Sequence, residues 1–128
     1  LTGLQGTAWV TTYAATKAFN LVLAEGLWDE LLGDGIDVLA CIPGITMTPS
    51  YLDSDPKSAS RLAPPPMDAK IVATEALDAL GRRPSHVTGL ANRVVSFGVQ
   101  RLLPRKAAVK LFGHNLWTMY GHRSCCSK

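Results

Sequence analysis

Between residues 11 and 44 a long helical run, a glycine turn and a short apolar run closed by Pro-Gly follow one another, and this succession restricts the fold most. From about Thr11 to Leu32 the apolar residues Ala15, Phe19, Val22, Leu23, Leu27, Leu31 and Leu32 recur mostly at steps of three or four. That is the period of an amphipathic helix. Gly33-Asp34-Gly35 then supplies a stop, because glycine enters the left-handed turn after a helix without steric cost. Ile36 to Ile42 (IDVLACI) is short, almost wholly apolar and rich in branched residues, with glycine before it and proline after it. It reads as a strand buried on both faces, as in a parallel sheet. Helix, tight turn and buried strand make the second half of a β-α-β unit, so the expected class is α/β.

The remainder of the chain fits the same class. Residues 45–66 carry serines, threonines, Asp53, Asp55 and Pro64-Pro65-Pro66, and read as a long irregular loop with room for one helical turn. A loop of roughly 20 residues in a compact domain usually serves a purpose, such as a lid. Helical spacing returns from Met67 to Leu80 through Ile71, Val72, Ala76 and Leu77, with Asp68 in the first turn and Gly81-Arg82-Arg83-Pro84 as its end. His86 to Leu90 reads as a last short strand, and residues 93–120 as one or two helices broken near Pro104. The whole, residues 1–128, is one domain in four parts: helix, strand and Pro-Gly loop (1–48), loop (49–66), helix and last strand (67–92) and a helical tail (93–128).

Composition removes several classes of function. A hydrophobic fraction of 47% with 18% charged residues describes a folded chain, not a disordered one. The net charge of +3 is modest and no nucleic-acid motif accompanies it, so nucleic acid is not expected as a partner. Cys41, Cys125 and Cys126 form no C-x-x-C pair and no metal-ligand spacing, so no metal is expected. Reduced thiols in a cytoplasmic protein are the default reading. Charges interrupt every apolar run before the roughly 18 residues of a membrane span. His86, His114 and His122 show no ligand spacing and no partner carboxylate, so surface or half-buried positions are expected. Phe19 and Trp28, at helical spacing, read as packing residues.

One pair of residues carries chemistry. Tyr13 and Lys17 stand four apart in the helix, one above the other on a single face. A free tyrosine titrates near ~10, and an ammonium held nearby favours the phenolate and can bring such a pair into range for proton transfer. Gly3 and Gly6 precede the pair, Ala14-Ala15-Thr16 fill it, Ala18-Phe19 follow, and Pro43-Gly44 closes the next apolar run. Taken together, residues 1 to about 105 resemble the short-chain dehydrogenase/reductase family.

The resemblance implies the C-terminal portion of a doubly wound, Rossmann-like parallel sheet, of which this chain supplies about two strands. It implies an NAD- or NADP-dependent oxidoreductase that interconverts an alcohol and a carbonyl by hydride transfer. Tyr13 is then the acid/base, and Lys17 bonds the nicotinamide ribose. Pro43, Gly44, Ile45 and Thr48 hold the nicotinamide end, with Ile45 and Thr48 at the carboxamide and Gly44 letting the backbone come close. The family's serine, thirteen residues before the tyrosine, falls one position before Leu1, and its Gly-rich turn lies further upstream. The chain by itself is therefore expected to be inactive.

Residues 49–66 would form the substrate loop, with Tyr51, Leu52, Leu62 and the adjoining Met67 lining an apolar pocket or packing the loop down. A homo-oligomer is expected, since the Tyr-bearing helix of the family commonly meets its copy; Leu21, Leu23, Ala24 and Leu27 suit that contact or their own sheet. The apolar and basic tail (residues 93–117) reads either as a terminal packing helix or as a peripheral membrane contact. The rival reading is a non-enzymatic module that docks on a full-length relative or on a membrane surface.

Overall fold

The computed structural model describes residues 1–53 and 64–120. After a 3-10 turn at Thr2–Leu4 come helix α1 (Thr11–Leu31), strand β1 (Ala40–Ile42), strand β2 (Thr46–Met47) and helix α2 (Pro49–Asp53). Strand β3 (Met67–Asp68), helix α3 (Ala69–Ala79), strand β4 (Ser85–Val87), helix α4 (Leu90–Leu102) and helix α5 (Arg105–Tyr120) follow. β1 pairs in parallel with β4, Ala40 opposite Ser85 and Ile42 opposite Val87. A second parallel ladder joins β2 to β3. Parallel strands require crossovers, and α3 lies in the one between β1 and β4.

Gly35, at φ 70°, makes the left-handed turn after α1, and its N–H bonds the Leu32 carbonyl. Asp68 caps α3: its carboxylate accepts from the Lys70 N–H at 2.7 Å, so it sits just before the helix and not in its first turn. Pro104 separates α4 from α5 as expected.

Three expectations need correction. The strand covers only Ala40–Ile42, not residues 36–42, and Cys41 is exposed. Burial on both faces needs a layer packed on each side of the sheet, and the exposed Cys41 side is left uncovered by the described residues. The segment after Pro-Gly holds the expected helical turn as α2 but also a short strand, β2, that was not expected. Finally, α1 turns a different stripe inward. Ala14 is buried, and Ala18, Leu21, Glu25 and Trp28 are half-buried at helical spacing, whereas Phe19, Val22 and Leu23 face out. Apolar residues lie all round α1, so period alone could not select its inner face.

The interior is small-residued and partly polar. Its buried apolar members are Ala14, Ala40, Ala79, Val99 and Ala108, and its largest fully buried side chains are Asn92, Thr7 and Thr88. The residue after the last strand and the helix that follows supply Thr88 and Asn92, so a polar junction lies directly behind the Pro-Gly turn.

Candidate active site

Tyr13 and Lys17 occupy the first half of α1 and are both exposed. The Lys17 ammonium lies over the Tyr13 ring, 5.4 Å from its centroid, where the ring's negative face attracts a cation. The 3-10 turn crosses α1 at this point. A Cβ on Gly3 would stand 2.9 Å from the carbonyl carbon and Cβ of Lys17, so only glycine lets the turn lie so close. The same turn reaches the second half of the site, because the Leu1 amino nitrogen donates to the Pro43 carbonyl at 2.9 Å. Residues 1–4 thus tie the Tyr13–Lys17 face of α1 to the Pro-Gly turn at the carboxyl end of β1. That is where open parallel sheets place ligands.

The Pro43–Thr48 segment is tightly held. The Ile45 carbonyl accepts from the Met67 N–H at 2.8 Å, and the Thr46 hydroxyl donates to the Gly44 carbonyl at 3.3 Å. The Thr48 hydroxyl oxygen accepts from the Tyr51 N–H at 3.3 Å, making Thr48 the cap of α2 with Pro49 in the first helical position. A hydroxyl that accepts in this way keeps its own hydrogen to donate elsewhere.

Gly44 departs from its expected reason. A Cβ there would fall 2.4 Å from Asn92 Nδ2 and 2.5 Å from Oδ1, so its missing side chain makes room for an amide of the chain itself. Asn92 Nδ2 donates to the Thr88 carbonyl at 2.9 Å and to the Met67 sulfur at 3.3 Å, while Oδ1 is buried without a partner among the described residues. Met67 therefore packs against this junction through its sulfur. Leu62 lies outside the described residues, as do Cys125, Cys126 and His122.

His86 is a further correction. It is buried, and its Nε2 lies 3.4 Å from a Glu75 carboxylate oxygen. The same oxygen accepts from the Gly89 N–H at 2.9 Å and faces Arg93 at 3.9 Å. The Gly89 N–H, with help from His86 and Arg93, holds the Glu75 carboxyl below the usual carboxylate range. Glu75 so pins α3 to β4 and to the start of α4. In the β1–β4 ladder Cys41 stands opposite His86. Desolvation and the negative charge of Glu75 push the Cys41 thiol up, the reverse of what a nucleophilic cysteine needs.

Asn92 and Glu75 were missed in the sequence. The one signal for Asn92 was an amide in the first turn of a helix; a lone Glu in α3 gave none.

No model of a protein family matches the chain. It is 32% identical over 98 residues to the 7beta-hydroxysteroid dehydrogenase of Collinsella aerofaciens, covering 73% of this chain and 36% of that protein. The enzyme of the same name from Clostridium sardiniense is 28% identical over 93 residues, covering 73% and 35%. That of Mediterraneibacter gnavus is 31% identical over 98 residues, covering 73% and 36%. A chain solved in work on 7beta-hydroxysteroid dehydrogenase stereoselectivity superposes with a TM-score of 0.75 at 28% identity, covering 88% of this chain and 42% of that one. The fold is thus a portion of a Rossmann-like parallel α/β domain, and the chain spans little more than a third of the length of the curated relatives it matches.

Proposed function

We propose that this chain, which carries part of a short-chain dehydrogenase/reductase domain, belongs to an NAD- or NADP-dependent oxidoreductase that interconverts a secondary alcohol and a ketone. The names of its relatives favour a hydroxysteroid as the substrate class. The supporting observation is the tie made by residues 1–4, with Gly3 against Lys17 and Leu1 on Pro43, which sets the tyrosine–lysine face beside the Pro-Gly turn.

The residues fit such a cofactor: the Thr48 hydroxyl has a hydrogen to give, and Tyr13 and Lys17 are open to a ligand. When bound, the nicotinamide supplies or accepts the hydride. Thr48 would donate to its carboxamide, with Ile45 beside it on the same segment. Lys17 would bond the ribose hydroxyls, its charge steered by the Tyr13 ring beneath it. The Tyr13 hydroxyl would give a proton to the substrate oxygen during reduction and take it back during oxidation. Phe19, Val22 and Leu23, exposed on α1, favour a second subunit against that helix.

The test uses the protein expressed from the open frame that encodes this sequence, with NADH or NADPH and a keto-steroid. Tyr13→Phe should lower kcat by about 100-fold or more and leave cofactor affinity unchanged. Lys17→Ala should weaken turnover and cofactor affinity together. Substantial turnover by Tyr13→Phe would refute the role given to Tyr13. A protein that binds neither cofactor would leave the non-enzymatic docking module as the better reading.

A further inference from the structure

Charge is divided sharply along the chain. All ten acidic residues, with only four of the thirteen cations, precede position 79; the other nine cations follow it with no acidic residue among them. The described part of that basic half is mainly α4 and α5. Each helix is seated by one buried face: Asn92 and Val99 are buried on α4, Ala108 and Gly113 on α5. Their other faces are apolar and basic at once. Leu90, Val94, Phe97 and Arg101 form one outward row on α4, at helical steps of four, three and four. The three apolar members are 71%, 64% and 63% exposed. Leu102 follows at the turn, and α5 exposes Lys106, Lys110, Leu111 and Trp117. Arg93 already faces Glu75, and Arg105 reaches the Leu4 carbonyl, which leaves Arg101, Lys106 and Lys110 as the cations that these two helices direct to solvent.

We propose that the outer faces of α4 and α5 dock on an anionic lipid surface. An exposed row of Leu, Val and Phe has no affinity for water, and flanking Arg and Lys lower their stems beside it while their heads meet lipid phosphates. The charge division matches such a surface, because no carboxylate lies on either helix to repel it. None of the described helices is long and apolar enough to cross a membrane, so the contact is peripheral. Nucleic acid suits the same charge less well. A phosphate backbone rewards a continuous row of cations, and here the central row is apolar.

The test is sedimentation of the full chain with vesicles of phosphatidylcholine alone or with about 30% phosphatidylglycerol, at about 0.1 M and about 1 M salt. Retention is expected on the anionic vesicles at low salt. It should fall at least about 10-fold on neutral vesicles, at high salt, or in Lys106→Gln/Lys110→Gln. Leu90→Ser/Phe97→Ser, both at exposed positions, should also lose retention while keeping the helical circular dichroism of the parent. Equal retention on both vesicle types, retention on neither, or retention unaffected by Leu90→Ser/Phe97→Ser would overturn the proposal. So would tighter capture by a duplex oligonucleotide, or by a second copy of the chain, than by anionic vesicles.

Discussion

Adding one methyl group at Gly44 tests the junction behind the Pro-Gly turn. Its φ is outside the left-handed region, so alanine meets no backbone strain and the contact acts alone. The new Cβ would lie 2.4 Å from Asn92 Nδ2, on a residue only 2% exposed. Overpacking of this kind costs about 1–3 kcal/mol. Displacing Asn92 also releases its bond to the Thr88 carbonyl, a further loss of about 0.5–1.5 kcal/mol. Reduced freedom of the unfolded chain returns about 0.4–1 kcal/mol. Gly44→Ala should therefore destabilise by about 1–3.5 kcal/mol. Asn92→Ala should cost about 1–3 kcal/mol, since it leaves the fully buried Thr88 without that donor. In the double variant the alanine methyl enters space the amide has vacated, so it should be no less stable than Asn92→Ala alone. Urea unfolding followed by circular dichroism, compared at constant m, gives all four corners of the cycle. Additivity within about 0.5 kcal/mol would refute the contact as the reason for glycine at 44.

Glu75→Gln should cost about 1 kcal/mol at pH 7, because the bonds from Gly89 and Arg93 lose their charged partner. The Glu75 carboxyl is lowered in the folded state, so its contribution is full above the ordinary glutamate value near ~4.3 and disappears as pH falls through the lower folded one. Parent and variant should then converge as pH falls below that ordinary value, and a deficit unchanged from pH 7 down through the acid range in urea melts would contradict the linkage. Asp68→Ala should destabilise by about 0.5–2 kcal/mol through loss of the α3 cap; Asp68→Asn should restore most of it, and equal melts for alanine and parent would deny the capping role.

The parts of this architecture that were legible in the sequence are those set by local chemistry. The extent of α1, the glycine turn at 35, the Pro-Gly turn and the break at Pro104 depend on backbone preferences that each residue carries wherever it stands. The Tyr13–Lys17 pair was legible for the same reason, since four residues along a helix place two side chains together without any other element. What local pattern could not supply was partnership across the chain. Whether Ile36 to Leu39 extends β1 depends on a neighbouring strand. Which stripe of α1 faces inward depends on what packs there. His86 was read as lacking a carboxylate because Glu75 is eleven positions earlier, on a different element. Thr48 was read only through the family resemblance, and its capping bond to Tyr51 is a separate, local reason for a threonine there.

The contacts behind the Pro-Gly turn also restrict how this sequence can vary over generations. A Cβ at Gly89 would strike the Met67 sulfur at 2.6 Å and approach Asn92 Nδ2 at 3.2 Å, while one at Gly44 would strike the same amide. Positions 44, 67, 89 and 92 therefore share one fixed volume, although nearly fifty residues separate the first from the last. At 44 a larger residue becomes tolerable only after a smaller one has appeared at 92, whereas Gly89, at φ 79°, stays strained whatever space is opened. Among natural versions of this chain positions 44, 67 and 92 should drift as a set around a constant glycine at 89, leaving paired exchanges as their common record.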